Sequence, residues 1–123
     1  MSSRTLADCR ILVVEDEFLL ANDLQDELER AGAIVVGPMP DLVGTLTLLA
    51  GEVQLDGAVL DINLGGETSY PAADELLRRK VPFLFTTGYD RLAVPERYQH
   101  IVQCQKPIRL AVIRDAIGRV IHD

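Results

Sequence analysis

Two adjacent acids, Glu15 and Asp16, follow directly on the apolar run Ile11-Leu12-Val13-Val14. A second run, Ala58-Val59-Leu60, ends on Asp61. A third, Phe83-Leu84-Phe85, ends on Thr86-Thr87-Gly88, and a fourth, Ile101-Val102, leads through Gln103-Cys104-Gln105 to Lys106-Pro107. Taken singly, each is an ordinary residue. Asp61 can be a metal ligand, a nucleophile or a turn residue. Glu15 and Asp16 suit the start of a helix as caps and dipole partners, and Glu17 reads as having only that role. Lys106 can be a solvated lysine. Taken together they differ. Carboxylates crowded at one place push a proton onto one of their number unless a cation is present. Oxygen ligands with several remaining waters suit Mg²⁺. Lys106 adds a fixed positive charge and the threonines a hydroxyl. The set makes a hollow for a divalent ion and a phosphoryl group, with Asp61 as nucleophile, since carboxylates form acyl phosphates.

Positioning these groups takes elements that end at one edge. Arg10 to Val14 reads as strand one. Phe18, Leu20, Leu24, Leu28 and Ala31 form the apolar stripe of a helix closed by Gly32. Ala33 to Val36 reads as strand two, broken by Gly37 and Pro38. Asp41 starts a helix over residues 42–52, with Leu42, Leu46 and Leu49 on one stripe. Strand three is Gly57 to Asp61. Residues 64–70, with Gly65, Gly66 and three hydroxyls, read as a loop without regular structure. Pro71 suits a first helical turn, and residues 72–80 continue it. Strand four is Val81 to Thr86. Pro95 limits residues 90–99 to one or two helical turns. Strand five is His100 to Cys104. Pro107 opens a last helix with Ile108, Val112, Ile113, Ala116, Val120 and Ile121 inward. Five strands alternate with five helical segments. The unalternating apolar strands predict a parallel sheet covered on both faces, an α/β fold. In such sheets ligands bind at the carboxyl ends of the strands.

The 123 residues read as one domain (1–123, core about 9–121), with 48% hydrophobic and 25% charged residues. The net charge of -7 disfavours nucleic acid, whose phosphates reward basic clusters. Arg78-Arg79-Lys80, the longest basic run, reads as a solvated helix end. No apolar stretch approaches the ~20 residues of a membrane span. Residues 1–10 lack an export signal. Cys9 and Cys104 show no metal spacing and read as reduced thiols, so a cytoplasmic protein is expected. His100, His122, Met39 and Tyr70 read as bland surface, terminal or packing residues.

With Glu15-Asp16, Asp61, Thr87 and Lys106-Pro107 each at the end of a strand, the chain resembles the receiver domain of bacterial two-component response regulators. The resemblance spans about residues 9 to 121. It implies a (βα)5, doubly wound, flavodoxin-like sheet in the order 2-1-3-4-5. It implies Asp61 as phosphoacceptor, Asp16 as direct Mg²⁺ ligand, Glu15 as ligand through water, and the Asn63 carbonyl as a further ligand. The Thr87 hydroxyl and Gly88 amide are then expected to bind phosphoryl oxygens, and Lys106 to pair with Asp61. The implied donor is a phosphohistidine on a sensor histidine kinase or histidine phosphotransfer protein. The implied role is a single-domain switch in a phosphorelay that acts on a downstream protein as a monomer or weak dimer. It catalyses only its own phosphorylation and dephosphorylation.

The chain departs from the family at Gln103, where an aromatic residue usually stands three positions before the lysine. Residues 82–89 instead resemble stand-alone receivers with a Phe-Ala-Thr-Gly-type motif, and Tyr89 becomes the candidate moving aromatic. Three other readings compete. An aspartyl-nucleophile phosphatase needs an acid where Asn63 stands. A nucleotide- or flavin-binding domain needs a glycine- or hydroxyl-rich loop where Glu15-Asp16-Glu17 stands. A receiver-shaped interaction module that is never phosphorylated has nothing in the sequence in its favour.

Overall fold

A computed structural model describes residues 5–88 and 94–123. In chain order the elements are β1 (Arg10–Val14), α1 (Phe18–Arg30), β2 (Ile34–Met39), α2 (Leu42–Ala50), β3 (Gly57–Asp61), β4 (Asn63–Leu64), β5 (Glu67–Thr68), α3 (Tyr70–Arg78), β6 (Phe83–Thr87), a 3-10 turn (Glu96–Tyr98), β7 (Gln103–Gln105) and α4 (Leu110–His122). The main sheet runs β2-β1-β3-β6-β7, all parallel. Counting its five strands along the chain, this is the order 2-1-3-4-5.

Alternation along the central strands divides the core. Leu12, Leu60 and Phe85 face a layer with Leu49, Leu76 and Tyr98 from the α2 and α3 side. Ile11, Val13, Val59 and Leu84 face Leu24, Leu28, Ile113 and Ile117 from α1 and α4. β1, β3 and β6 are thus covered on both faces, as their unalternating sequences require. Asp41 caps α2 by accepting from the Gly44 amide at 2.7 Å.

Several boundaries differ from expectation, each for a local reason. β2 does not stop at Val36 but continues through Gly37 and Pro38 to Met39. Leu12 pairs with Val36 and Val14 with Met39, so two residues oppose Val13 in a bulge. Gly37 has φ +94, and a Cβ there would lie 3.0 Å from the Val13 carbonyl oxygen. Proline is tolerated because β2 is an edge strand. Residues 64–70 are not wholly a loop: β4 and β5 pair as a hairpin across Gly65 and Gly66. α3 begins at Tyr70 and ends at Arg78, β6 runs Phe83–Thr87, and β7 is only Gln103–Gln105. α4 starts at Leu110 rather than at Pro107. Among the described residues there are four α-helices and one 3-10 turn, five helical segments as expected. Within the 90–99 stretch, residues 94–99 hold a 3-10 turn directly after Pro95, and residues 90–93 lie outside the described residues.

Two residues assigned inward face solvent. Phe18 is 79% exposed and Val112 47% exposed. At 3.6 residues per turn each lies roughly a quarter-turn off its helix's buried stripe. Those stripes are Ala21-Leu24-Leu28 and Ile113-Ala116-Ile117. Arg79 is not solvated. Its guanidinium donates to the Val53 carbonyl at 3.2 Å and to the Leu49 carbonyl, capping the end of α2.

The 3-10 turn is fastened to α3 by Tyr98, which is fully buried. Its hydroxyl donates to Asp74 and lies 3.1 Å from the Tyr70 carbonyl oxygen, while its ring stacks on Tyr70 at 5.0 Å. Arg97 pairs with Asp74 at 2.8 Å and sits over the Tyr98 ring. Burial, then the Asp74 carboxylate, push the Tyr98 phenol up to about 12. A phenol raised on folding contributes stability that is complete below its ordinary value of 10 and lost as the pH rises through about 12. Tyr98→Phe is expected to cost about 1–2 kcal/mol in urea unfolding at neutral pH, and to remove this part of the alkaline loss of stability.

Candidate functional site

The carboxyl ends of β1, β3, β6 and β7 meet at one edge of the sheet. Sheet register does most of the positioning. Val14 pairs with Leu60, so Glu15 and Asp61 emerge side by side. Asp61 pairs with Thr86, which places Thr87 one step beyond it. The Lys106 amide donates to the Thr87 carbonyl at 2.7 Å, fixing the lysine after β7 against the end of β6.

Lys106 is the hub. Its Nζ lies 2.9 Å from Asp61 Oδ2 and 3.2 Å from both carboxylate oxygens of Glu15. The Glu15 and Asp61 side chains are almost wholly buried, and Lys106 is 17% exposed. Asp16 is exposed, yet one carboxylate oxygen each from Glu15, Asp16 and Asp61 fall within 4.8 Å of one another. Glu17 does more than begin a helix: its carboxylate is 3.5 Å from Lys106 Nζ, and it makes no side-chain cap. Three acids, Glu15, Glu17 and Asp61, therefore surround one ammonium, and Asp16 lies beside two of them.

The remaining candidates fall around this cluster. Thr87 is buried at the end of β6, and Gly88 is exposed just beyond it. The Asn63 amide donates to Asp61 Oδ1 at 3.1 Å, and its side chain accepts from the Gly66 amide at 3.0 Å. Gln103 pairs with Phe85 on the outer strand, and its Oε1 is buried without a hydrogen-bond partner among the described residues. Tyr89, the other switch candidate, lies outside the described residues. Two contacts escaped the sequence reading, Glu17 to Lys106 and the Gly65 amide to Asp16 at 2.9 Å. The Gly65-Gly66 pair was itself a readable signal for a two-residue hairpin.

The electrostatics favour a hard cation. Burial pushes the Glu15 carboxyl up to about 7; the Asp61 charge adds to the rise, and the Glu17 amide and Lys106 oppose it. Burial also raises Asp61, against the pull of Lys106. Burial disfavours the Lys106 ammonium, but its hydrogen bond to Asp61 and the charges of Asp61 and Glu15 outweigh this and raise it. Glu15 Oε1 is buried and makes no aligned hydrogen bond, although the ammonium is close. Carboxylate oxygen in excess over one ammonium and an open side at Asp16 fit an ion such as Mg²⁺, with Glu15, Asp16 and Asp61 as its holders.

A carboxyl raised on folding contributes stability that is complete below 4.5 and lost as the pH rises through about 7. Without divalent ion the protein is expected to be less stable near pH 8 than near pH 5, by on the order of 3 kcal/mol at most. Glu15→Gln should flatten that dependence in calorimetric melts.

A hollow of about 570 Å³ lies at the opposite end of the strands against Val81, Pro82, Ile101 and Ile121. It holds none of these acids.

No family model matches the chain. The chain is 31% identical over 115 residues to the phyllosphere-induced regulator PhyR of Methylorubrum extorquens, covering 90% of this chain and 43% of that protein. It thus spans less than half the length of that curated relative. SdrG from Sphingomonas melonis Fr1 is 37% identical, with 96% of this chain and 98% of that chain covered and a TM-score of 0.74. A BeF3-activated conformation of SdrG is similarly alike. The receiver (REC) domain of the PhyR response regulator from Erythrobacter litoralis superposes with a TM-score of 0.80 at 25% identity, covering 93% of this chain and 90% of that one.

Proposed function

We propose, from the premise that this chain belongs to the receiver-domain family of response regulators, that Asp61 accepts a phosphoryl group from a protein phosphohistidine. The observation that carries the reading is the Lys106 ammonium held 2.9 Å from Asp61 beside Glu15 and Asp16. In the transfer, a carboxylate oxygen of Asp61 forms a bond to phosphorus as the donor's N–P bond breaks. The leaving imidazole keeps that electron pair and takes up a proton. Lys106 compensates charge that gathers on the phosphoryl oxygens. The Thr87 hydroxyl and Gly88 amide, just beyond the register partner of Asp61, orient those oxygens. Mg²⁺, held by Glu15, Asp16, Asp61 and the Asn63 carbonyl, supplies further charge neutralisation when bound.

The chain turns over no external substrate and catalyses only its own phosphorylation and dephosphorylation. Its donor is a histidine kinase or a histidine phosphotransfer protein in the cytoplasm, and its output is a change in affinity for a downstream protein. Phosphorylation shifts an existing equilibrium between two conformations. The BeF3-activated form of SdrG supports this, because beryllofluoride imitates a phosphoryl group on a carboxylate. Among the described residues no helix is long and apolar enough to cross a membrane.

The test is intact-mass spectrometry after incubation with Mg²⁺ and a small phosphodonor. One phosphoryl adduct is expected, with none when a chelator is present. A protein that gains no adduct from either a small donor or a phosphorylated histidine protein would overturn the reading.

A further inference from the structure

We infer that the β4–β5 hairpin is a positioning element of the metal site, its Gly65 amide holding the exposed Asp16 carboxylate where a divalent ion needs it. The inference rests on the function proposed above and extends it to what fixes the one ligand that packing leaves free. Glu15 and Asp61 are buried and held by Lys106. Asp16 is exposed, so its neighbours in the core do not select its rotamer. The Gly65 N–H does so by donating to Asp16 Oδ2 at 2.9 Å. An oxygen that accepts one amide hydrogen keeps lone pairs for a cation, and Oδ1 keeps all of its own.

The same hairpin also grips a second acid. The Asn63 amide donates to Asp61 Oδ1 at 3.1 Å. Two of the three carboxylates thus hang from backbone amides two residues apart. That spacing is rigid for three reasons. Leu64 is buried and pins β4 to the core. The Asn63 side chain accepts from the Gly66 amide and closes the turn. Gly65 and Gly66 have φ +59 and +94, the left-handed pair that a primed two-residue hairpin requires. A Cβ at Gly65 would meet nothing within 4 Å, so this glycine answers to backbone conformation and not to space.

A preorganised ligand spares the ordering cost of binding, so loosening the turn should weaken Mg²⁺ affinity by about three- to tenfold. Calorimetric Mg²⁺ titration of the whole protein, of Gly65→Val and of Gly65→Asn tests this. Valine resists positive φ, whereas asparagine accepts it and forms a favoured Asn-Gly turn. Expected are a three- to tenfold loss for Gly65→Val by the ordering argument above, and rescue by Gly65→Asn. The melting temperature without Mg²⁺ separates a site effect from general unfolding. Amide exchange in the unaltered protein gives an answer that needs no variant. The Gly65 amide should be protected, and remain so at saturating Mg²⁺.

Equal or tighter Mg²⁺ binding by Gly65→Val would overturn the hairpin's role while leaving the site itself standing. Loss of Gly65 protection on Mg²⁺ binding would do the same, since the ion would then replace the amide. An unaltered protein that takes up no Mg²⁺ would overturn the reading of the site and this inference with it.

Discussion

Asp61→Asn is expected to fold normally and to lose phosphoryl uptake by at least about a thousandfold, the scale of removing a covalent nucleophile. The amide keeps the size of the side chain and one oxygen for Lys106, so packing around β3 survives. It removes the atom that attacks phosphorus, because an amide is a poor nucleophile. It also removes a charge that burial disfavours. The metal-free variant should therefore melt at the same temperature as the unaltered protein or higher near neutral pH. Intact mass after exposure to donor and Mg²⁺, paired with a thermal melt, reads both halves. An adduct of undiminished yield would move the acceptor to another residue. A collapse in stability would mean that the chemical result says nothing about the nucleophile.

Lys106→Met should separate ion binding from phosphoryl transfer. Methionine fills nearly the same volume and cannot carry charge. The Glu15 and Asp61 carboxylates lose the ammonium that lies within 3.2 Å of both. With that competing cation gone, the site should bind Mg²⁺ at least as tightly as before. Transfer to Asp61 should still fall by about a hundredfold or more, because a fixed charge aimed at the phosphoryl oxygens has been lost. Mg²⁺ titration and the rate of adduct formation measure the two effects independently. Parallel losses in both would show that the lysine mainly holds the acids in place. An unchanged rate would remove it from the chemistry.

Much of this site was legible because parallel strands print their ends directly into the sequence. Ile11 to Val14, Ala58 to Leu60 and Phe83 to Phe85 are continuous apolar runs, and the residue after each run must emerge at the same edge. That logic brought Glu15, Asp61 and the pair Thr86-Thr87 to one edge, and a fourth run, Ile101-Val102, led on to Lys106; the choice of Thr87 came from the resemblance to receiver domains. It failed where backbone geometry overrides residue preference. Gly37 and Pro38 signal a break, yet on an outer strand a bulge absorbs both and pairing resumes at Met39. Gly65 and Gly66 suggest irregularity, although two adjacent glycines between Leu64 and Glu67 also suit a hairpin. Apolar spacing alone widens the helical stripes to include Phe18 and Val112, which face solvent. By position along the chain, Glu17 suits a helix start and Arg79 a solvated helix end. Their partners, Lys106 and the end of α2, are distant in the chain and leave no local trace.

The bulged strand also bears on assembly. At one margin of the sheet Pro38 offers no hydrogen to a newcomer, and the kink at Gly37 carries the backbone off line. At the other margin the outermost strand is three residues long. Both features blunt the sheet's flanks as templates for growth by an added chain.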